Sequence, residues 1–394
     1  MASPIALIAK VRGVRSLSWE QVIGWRLRRS HLVAPVADET GEANVVGRVV
    51  GDIAGVQAQI MSAAGLAIGI RVAGVTQVDV RAEVWQHRSL VKTYGPRGTL
   101  HLLPAAELPL WMAAMRACSS PSQARVYTYH GIEPPQLAAV TDAIGDALDG
   151  RCLTRQELAD EVVQRVGEWA RERLLSAWGD LLRPAATTGL LCFGPSQGAK
   201  ITFVRADQWL QGWRDVDPDE AIAEVAKRYL AAYGPATKQD FAGWFGIEPD
   251  AAAGLFAASD LVEVDVEGAR RWLLAEHADG PWEPPRGSLR LLGQYECYLL
   301  GSYPRARVVP MESRARITTY GRGRFEGAVA LSVLLVDGVV KGIWRRQRRG
   351  NRIDLRVEPF IELSADQSDQ LASEAARVGE FLGTDVALSV GALD

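Results

Sequence analysis

Leu90-Val91-Lys92-Thr93-Tyr94-Gly95-Pro96-Arg97-Gly98-Thr99-Leu100-His101-Leu102-Leu103 is the stretch on which the reading of this chain turns. Two apolar, β-prone runs flank a Gly-Pro-Arg-Gly break, the composition of a hairpin. Arg97, Thr99 and His101 alternate with apolar neighbours, so on one strand they share a face. Upstream the period is helical. Ser18 before Trp19-Glu20-Gln21 predicts a capped helix to about Leu32. After a linker with Pro35 and Gly41, Val45, Val46, Val49, Val50 and Ile53 predict a second helix from about Ala43, and Thr76 opens a third to about Arg88. Helix, helix, helix, hairpin is the order of a winged helix-turn-helix.

The order recurs. Beyond a Ser/Pro/Gln-rich loop at Ser119 to Gln123, helices are expected at Leu137 to Leu148, after Thr154 with Glu157, and from Glu172 to about Thr188. A hairpin follows, Leu190 to Phe193 and Ile201 to Val204 around Gly194 to Gly198. A shorter copy has helices at Asp219 to Ala232, Thr237 to Phe245 and Asp250 to Ala257, then a hairpin from Leu261 to Leu274 through Glu267-Gly268. From Pro281 the character changes. Strand-like runs are expected at Leu289 to Leu292, Tyr298 to Leu300, Val329 to Val336 and Val339 to Trp344, the last two joined by an Asp337-Gly338 turn, before a helix from Asp366 to Phe381. The expected fold is mainly α with β (α+β): winged-helix units at 1–115, 116–215 and 216–280, then a β-rich domain at 281–394. A chain of 394 residues exceeds what one core usually serves.

The net charge of -3 does not announce a polyanion partner, but charge is unevenly spread. Arg286 to Arg356 holds 15 basic residues against five acidic, densest at Arg345, Arg346, Arg348, Arg349 and Arg352, a pattern suited to successive phosphates or to a merely solvated loop. Cys118, Cys152, Cys192 and Cys297 stand apart, without CxxC or nearby histidines, so neither zinc nor any other metal or cofactor is expected. HExxH, GxxxxGK[ST] and GxSxG are absent, and Gly321 to Gly327 reads as a basic turn rather than a nucleotide fingerprint. No apolar run reaches the roughly 18 residues of a spanning helix, and Met1 to Arg15 lacks a leader pattern. A reduced, cytoplasmic protein with no membrane partner is the expectation.

What remains is Gly55-Val56-Gln57-Ala58-Gln59. Alone, Gln-x-Gln says little. Together with Arg97-Gly98-Thr99-Leu100-His101-Leu102, with Leu190 to Gly198, Tyr233 to Thr237, Asp240 to Gly246, Tyr298 to Arg305 and Val336 to Arg346, it resembles the AlkZ/YcaQ family of winged-helix DNA glycosylases over nearly the whole chain. The resemblance implies three tandem winged helices around a DNA-sized concavity and monofunctional excision of alkylated purines, N7-alkylguanine, bulky adducts or interstrand crosslinks among them. It places the catalytic Gln-apolar-Gln/Asp signature on Gln57 and Gln59. Where relatives commonly carry Phe-Asp, this chain has Tyr295-Glu296.

An N7-alkylated guanine already carries the positive charge that weakens its glycosidic bond. Excision then needs a placed water more than a strong acid, and carboxamides can place one. Gln57 is assigned to that water and Gln59 to assisting it or touching the deoxyribose. Arg97, Thr99, Ser196, Gln197, Lys200, Arg345, Arg346, Arg348 and Arg349 are the expected DNA contacts, with His101 either among them or packed. The expected partner is double-stranded DNA bearing alkylated bases, bound by a monomer. The competing readings are a winged-helix transcriptional regulator and a protein that sequesters the adduct without chemistry.

Overall fold

A computed structural model describes residues 14–37, 44–118, 121–318 and 330–393. Most of the N-terminal stretch, the linker around Gly41, and the Gly321 to Gly327 turn lie outside these residues. The first unit holds β1 (Arg15–Leu17), α1 (Trp19–Arg29), α2 (Val45–Asp52), β2 (Val56–Gln57), α3 (Met61–Gly69), α4 (Gln77–Trp85), the hairpin β3 (Leu90–Tyr94) and β4 (Leu100–Pro104), and α5 (Leu108–Ala117). Ser18 and Thr76 start α1 and α4 with reciprocal capping boxes, which satisfy otherwise orphaned backbone donors.

Helix α3 was not expected, and it matters because it follows the Gln pair directly. Its sequence, Met-Ser-Ala-Ala-Gly-Leu-Ala-Ile-Gly, is apolar nearly all round, so it carries no 3.6-residue stripe to read. Such a helix must be covered on most sides. Phe381 supplies part of the cover, lying so close to Gly65 and Gly69 that a Cβ on Gly69 would sit 2.2 Å from its ring.

The second unit contains α6 (Pro121–Tyr129), α7 (Pro134–Ala147), β5 (Leu153–Thr154), α8 (Arg155–Val166), α9 (Arg171–Leu175), α10 (Arg183–Thr187), the hairpin β6 (Cys192–Gln197) and β7 (Lys200–Val204), and α11 (Ala206–Trp209). The single helix expected from Glu172 to Thr188 is two short ones. Gly179, at φ +67°, turns the chain between them, and Pro184 suits only a helix start. The third unit is α12 (Pro218–Tyr233), α13 (Lys238–Phe245), two 3-10 turns in place of the short helix at 250–257, and the hairpin β8 (Leu261–Val266) and β9 (Ala269–Leu274).

The three units share one strand logic. In the first, β2 pairs with β4, which pairs with β3; in the second, β5 pairs with β7, which pairs with β6. In the third, a single bridge between Ala236 and Trp272 takes the place of the short strand, and β1 adds in parallel to β8 at the other edge. The register therefore makes Gln57 the counterpart of Thr154, and sequence order makes Thr237 the third member. Both threonines cap the helix that follows, with capping boxes to Glu157 and Asp240. Gln57 does not cap, and the N-cap of α3, Ile60, makes no side-chain hydrogen bond.

The remainder is one five-stranded sheet in the order β10 (Leu289–Leu292), β11 (Ser332–Val336), β12 (Val339–Arg349), β13 (Arg352–Pro359), β14 (Asp385–Val390). With it go α14 (Cys297–Gly301), α15 (Arg305–Val308), α16 (Met311–Thr318) and α17 (Ala365–Leu382). Asp337-Gly338 makes the expected tight turn, both residues at positive φ. The strand expected at Tyr298 to Leu300 is a buried helix instead, because Glu296 accepts the Tyr298 N–H at 3.2 Å and caps it. The sheet shares a continuous apolar core with α2, α3 and α17, so the β-rich part is built against the two helices that flank the Gln pair. Among the described residues, no helix is long and apolar enough to cross a membrane.

Candidate active site

Gln57 ends β2 opposite His101, and the chain stays extended beyond it, with the Ala58 N–H donating to the Leu100 carbonyl at 2.6 Å. Side chains alternate along such a strand. Val56 and Ala58 belong to the apolar core, while Gln57, itself buried, and Gln59, exposed in the bend that follows, direct their carboxamide oxygens to the β3–β4 hairpin. The small Ala58 spacer, fully buried, is what permits β2 to lie against α2 and α3.

The oxygens of the two carboxamides are tied down. Arg97 Nη2 donates to Gln57 Oε1 at 3.2 Å, and the Leu100 backbone N–H donates to Gln59 Oε1 at 3.2 Å. A guanidinium and a backbone N–H can only donate, so the oxygen and nitrogen of each amide are assigned by their partners. Neither amide nitrogen has a protein partner among the described residues. Gln59 is exposed, and Gln57, though only 7 % exposed, does not have its nitrogen sealed from solvent. Each amide thus offers N–H donors plus the second lone pair of a fixed oxygen, which is enough to orient one small polar molecule.

Arg97 is not on the strand as its sequence spacing suggests. It sits in the turn before β4 at φ +59°, so it does not alternate with Thr99 and His101. Its other terminal nitrogen, Nη1, donates to the Trp244 carbonyl in the last turn of α13, and a Cβ on Gly246 would lie 2.9 Å from the Arg97 Cα. Burial pulls its guanidinium down to about 10, so it stays charged at neutral pH. Thr99 closes the turn, its Oγ1 donating to the Pro96 carbonyl at 3.1 Å.

His101 is packed rather than presented. It is 4 % exposed, its ring lies against Gly95, and Nδ1 meets the Thr99 carbonyl at 3.0 Å. The carbonyl only accepts, so the ring proton is on Nδ1. Burial first, and the neighbouring Arg97 charge second, push the imidazole down to about 3 and keep it neutral.

The other expected contacts lie at two places. Ser196, Gln197 and Lys200 are exposed at the tip of the β6–β7 hairpin. Arg345, Arg348 and Arg349 are exposed along β12, with Arg349 paired to Asp354 at 3.0 Å. Arg346 is half-buried in a groove that it lines with Ser62 and Ala63 of α3 and with Gln294, Ser332 and Trp344. The groove thus brings the basic strand against the first turn of α3, the helix that follows the Gln pair. Trp244 and Gly246 fall in the quoted Asp240 to Gly246 motif but were given no part in the site, and Ser62 was missed altogether, because their partners come from other units.

The departure at Tyr295-Glu296 has a structural resolution. Glu296 is fully buried and pairs with fully buried Arg71 at 2.5 Å. It is a bolt between the first unit and the β-rich part.

A family model described as "DNA glycosylase AlkZ-like" matches residues 50–381. An interstrand DNA cross-link repair glycosylase from Streptomyces sahachiroi is 36% identical over 379 residues, 93% of this chain and 97% of that protein. The solved structure of the Streptomyces sahachiroi DNA glycosylase AlkZ superposes with a TM-score of 0.81 at 32% identity, covering 95% of this chain and 100% of that one.

Proposed function

The chain belongs to the AlkZ-like family of DNA glycosylases, and from that footing we propose that it hydrolyses the N-glycosidic bond of alkylated purines in duplex DNA, N7-alkylguanines and bulky or crosslinking adducts included. The setting would be DNA repair or self-resistance to a DNA-alkylating natural product, in the cytoplasm and by a monomer. The observation that carries the reading is that Gln57 and Gln59, two residues apart, each have the carboxamide oxygen anchored by the β3–β4 hairpin and the nitrogen unengaged by the described residues. Gln57 orients the water that attacks C1′, and Gln59 steadies that water or the deoxyribose. No strong acid is needed, since the alkylated base is already cationic and leaves neutral.

The same reading gives the flanking groups their work. Ser196, Gln197 and Lys200 from the β6–β7 hairpin, with Arg345, Arg346, Arg348 and Arg349 from β12, hold the phosphates of one duplex stretch, whereas Thr99, whose hydroxyl proton closes the turn before β4, is left to that turn. The four segments 1–115, 116–215, 216–280 and 281–394 act as the modules of that clasp, the first three as winged helices.

The test is base release from a duplex carrying N7-methylguanine and from one carrying a defined interstrand crosslink, with abasic sites read by alkaline cleavage. Wild type releases base from both. Gln57→Ala/Gln59→Ala loses about 100-fold or more in rate, the cost typical of misplacing a reacting group. Equal rates for wild type and double variant remove the proposal.

A further inference from the structure

We propose that Arg97 is a positioning residue for the Gln57 carboxamide, linking it to the third unit, and not a phosphate ligand. The proposal rests on the catalytic reading of Gln57 and Gln59 given above.

Three observations converge on it. Of the five N–H donors of Arg97, one on each terminal nitrogen goes to a protein acceptor from a different unit, Gln57 Oε1 on β2 and the Trp244 carbonyl on α13, which fixes the plane of the guanidinium against the carboxamide. The backbone is the second. A non-glycine residue in the left-handed region costs of order 1 kcal/mol, and here Arg97 adopts it between Pro96 and Gly98 in a turn where glycine or asparagine would be easier. Such a cost persists where the side chain is held for another reason. The third is the seat of α13. Its C-terminal carbonyls lack helical partners and carry the negative end of the dipole, which suits a cation. Gly246 follows in the left-handed C-cap geometry and allows the two backbones to touch.

The arrangement also answers an electrostatic difficulty. A bare cation beside a sugar acquiring oxocarbenium character would raise the barrier. Seated on the α13 terminus, the guanidinium has its charge directed at a carbonyl, and what it delivers to Gln57 is an oriented N–H. The fork geometry is required, because one planar group must donate in two directions at once, which a lysine ammonium on a flexible stem does poorly.

Single-turnover base release from N7-methylguanine duplex, with enzyme in excess, separates the roles. Arg97→Lys and Arg97→Gln are expected to lower the saturating rate roughly 10- to 100-fold, with DNA Kd and its salt dependence unchanged and Arg97→Lys the milder. In a Gln57→Ala background the same changes add no further loss. A weaker Kd with a salt slope reduced by about one ion and an unchanged saturating rate would make Arg97 a phosphate contact and overturn the proposal. Full additivity with Gln57→Ala would overturn it too. Should melting show the Arg97 variants unfolded, Gly246→Ala, which crowds Arg97 from the α13 side, must reproduce the rate loss or the proposal falls. Gln57→Ala at wild-type rate would instead remove the glutamine reading itself, whatever the Arg97 variants do.

Discussion

Arg71 and Glu296 meet at 2.5 Å with neither side chain exposed, the first just past α3 and the second capping α14. Arg71 also donates to the carbonyls of Ser30 at 2.9 Å and Ala67 at 2.7 Å, while Glu296 accepts from Cys297 Sγ at 3.1 Å. Removing one member of such a pair strands the other charge in the core. Glu296→Met or Arg71→Met should cost about 3–5 kcal/mol in a denaturant titration. Because the penalty lies mostly in the orphaned charge, Arg71→Met/Glu296→Met should cost clearly less than the two single changes summed. Strict additivity would mean that the pair is not coupled.

The buried imidazole of His101 sets an acid limit. Its folded value, about 3, lies below the ordinary value near 6.5. Between those values the unfolded chain binds a proton and the folded one does not, so stability present above pH 6.5 is lost as pH falls toward 3. The slope is of order 1 kcal/mol per pH unit. Urea midpoints at pH 7 and pH 5 should diverge more for wild type than for His101→Gln. Parallel losses in the two proteins would show that His101 is not the group responsible.

Gly69 faces the Phe381 ring at a distance no Cβ can occupy. In an open helix, Gly→Ala gains up to about 1 kcal/mol; here overpacking, about 1–3 kcal/mol, wins. Gly69→Ala should therefore lower Tm, and combining it with Phe381→Leu should recover part of the loss. A Tm raised by Gly69→Ala alone would show that α17 is not seated on α3 as described.

Lys200 and Arg348 stand at the tip of one hairpin and on the exposed end of β12, with their side chains in solvent. Lys200→Ala and Arg348→Ala should each lower the salt slope of duplex binding by about one ion. Affinity should fall alike for every DNA sequence, and the single-turnover rate at saturating enzyme should not change. An unaltered slope for either variant would place that residue off the DNA.

Much of the scaffold is local chemistry and was readable as such. Ser18, Thr76, Thr154 and Thr237 each begin a helix with an acidic or amide residue three places on, and Glu267-Gly268 and Asp337-Gly338 turn their hairpins at positive φ. These features depend on neighbours within a few residues, and the sequence holds all the information they need.

Helix α3, the helical state of 297–301 and the engagement of Arg97 are of another kind. An apolar run without a polar face has no readable period, and tertiary packing, with Phe381 against α3, and the cap by Glu296 go with helix in these two segments. Arg97 looks like a surface arginine on a wing until α13, some 140 residues away, presents the Trp244 carbonyl beside it. Which acceptor a donor satisfies is settled by whichever unsatisfied group the folded chain brings within reach, and that proximity exists only in the tertiary structure.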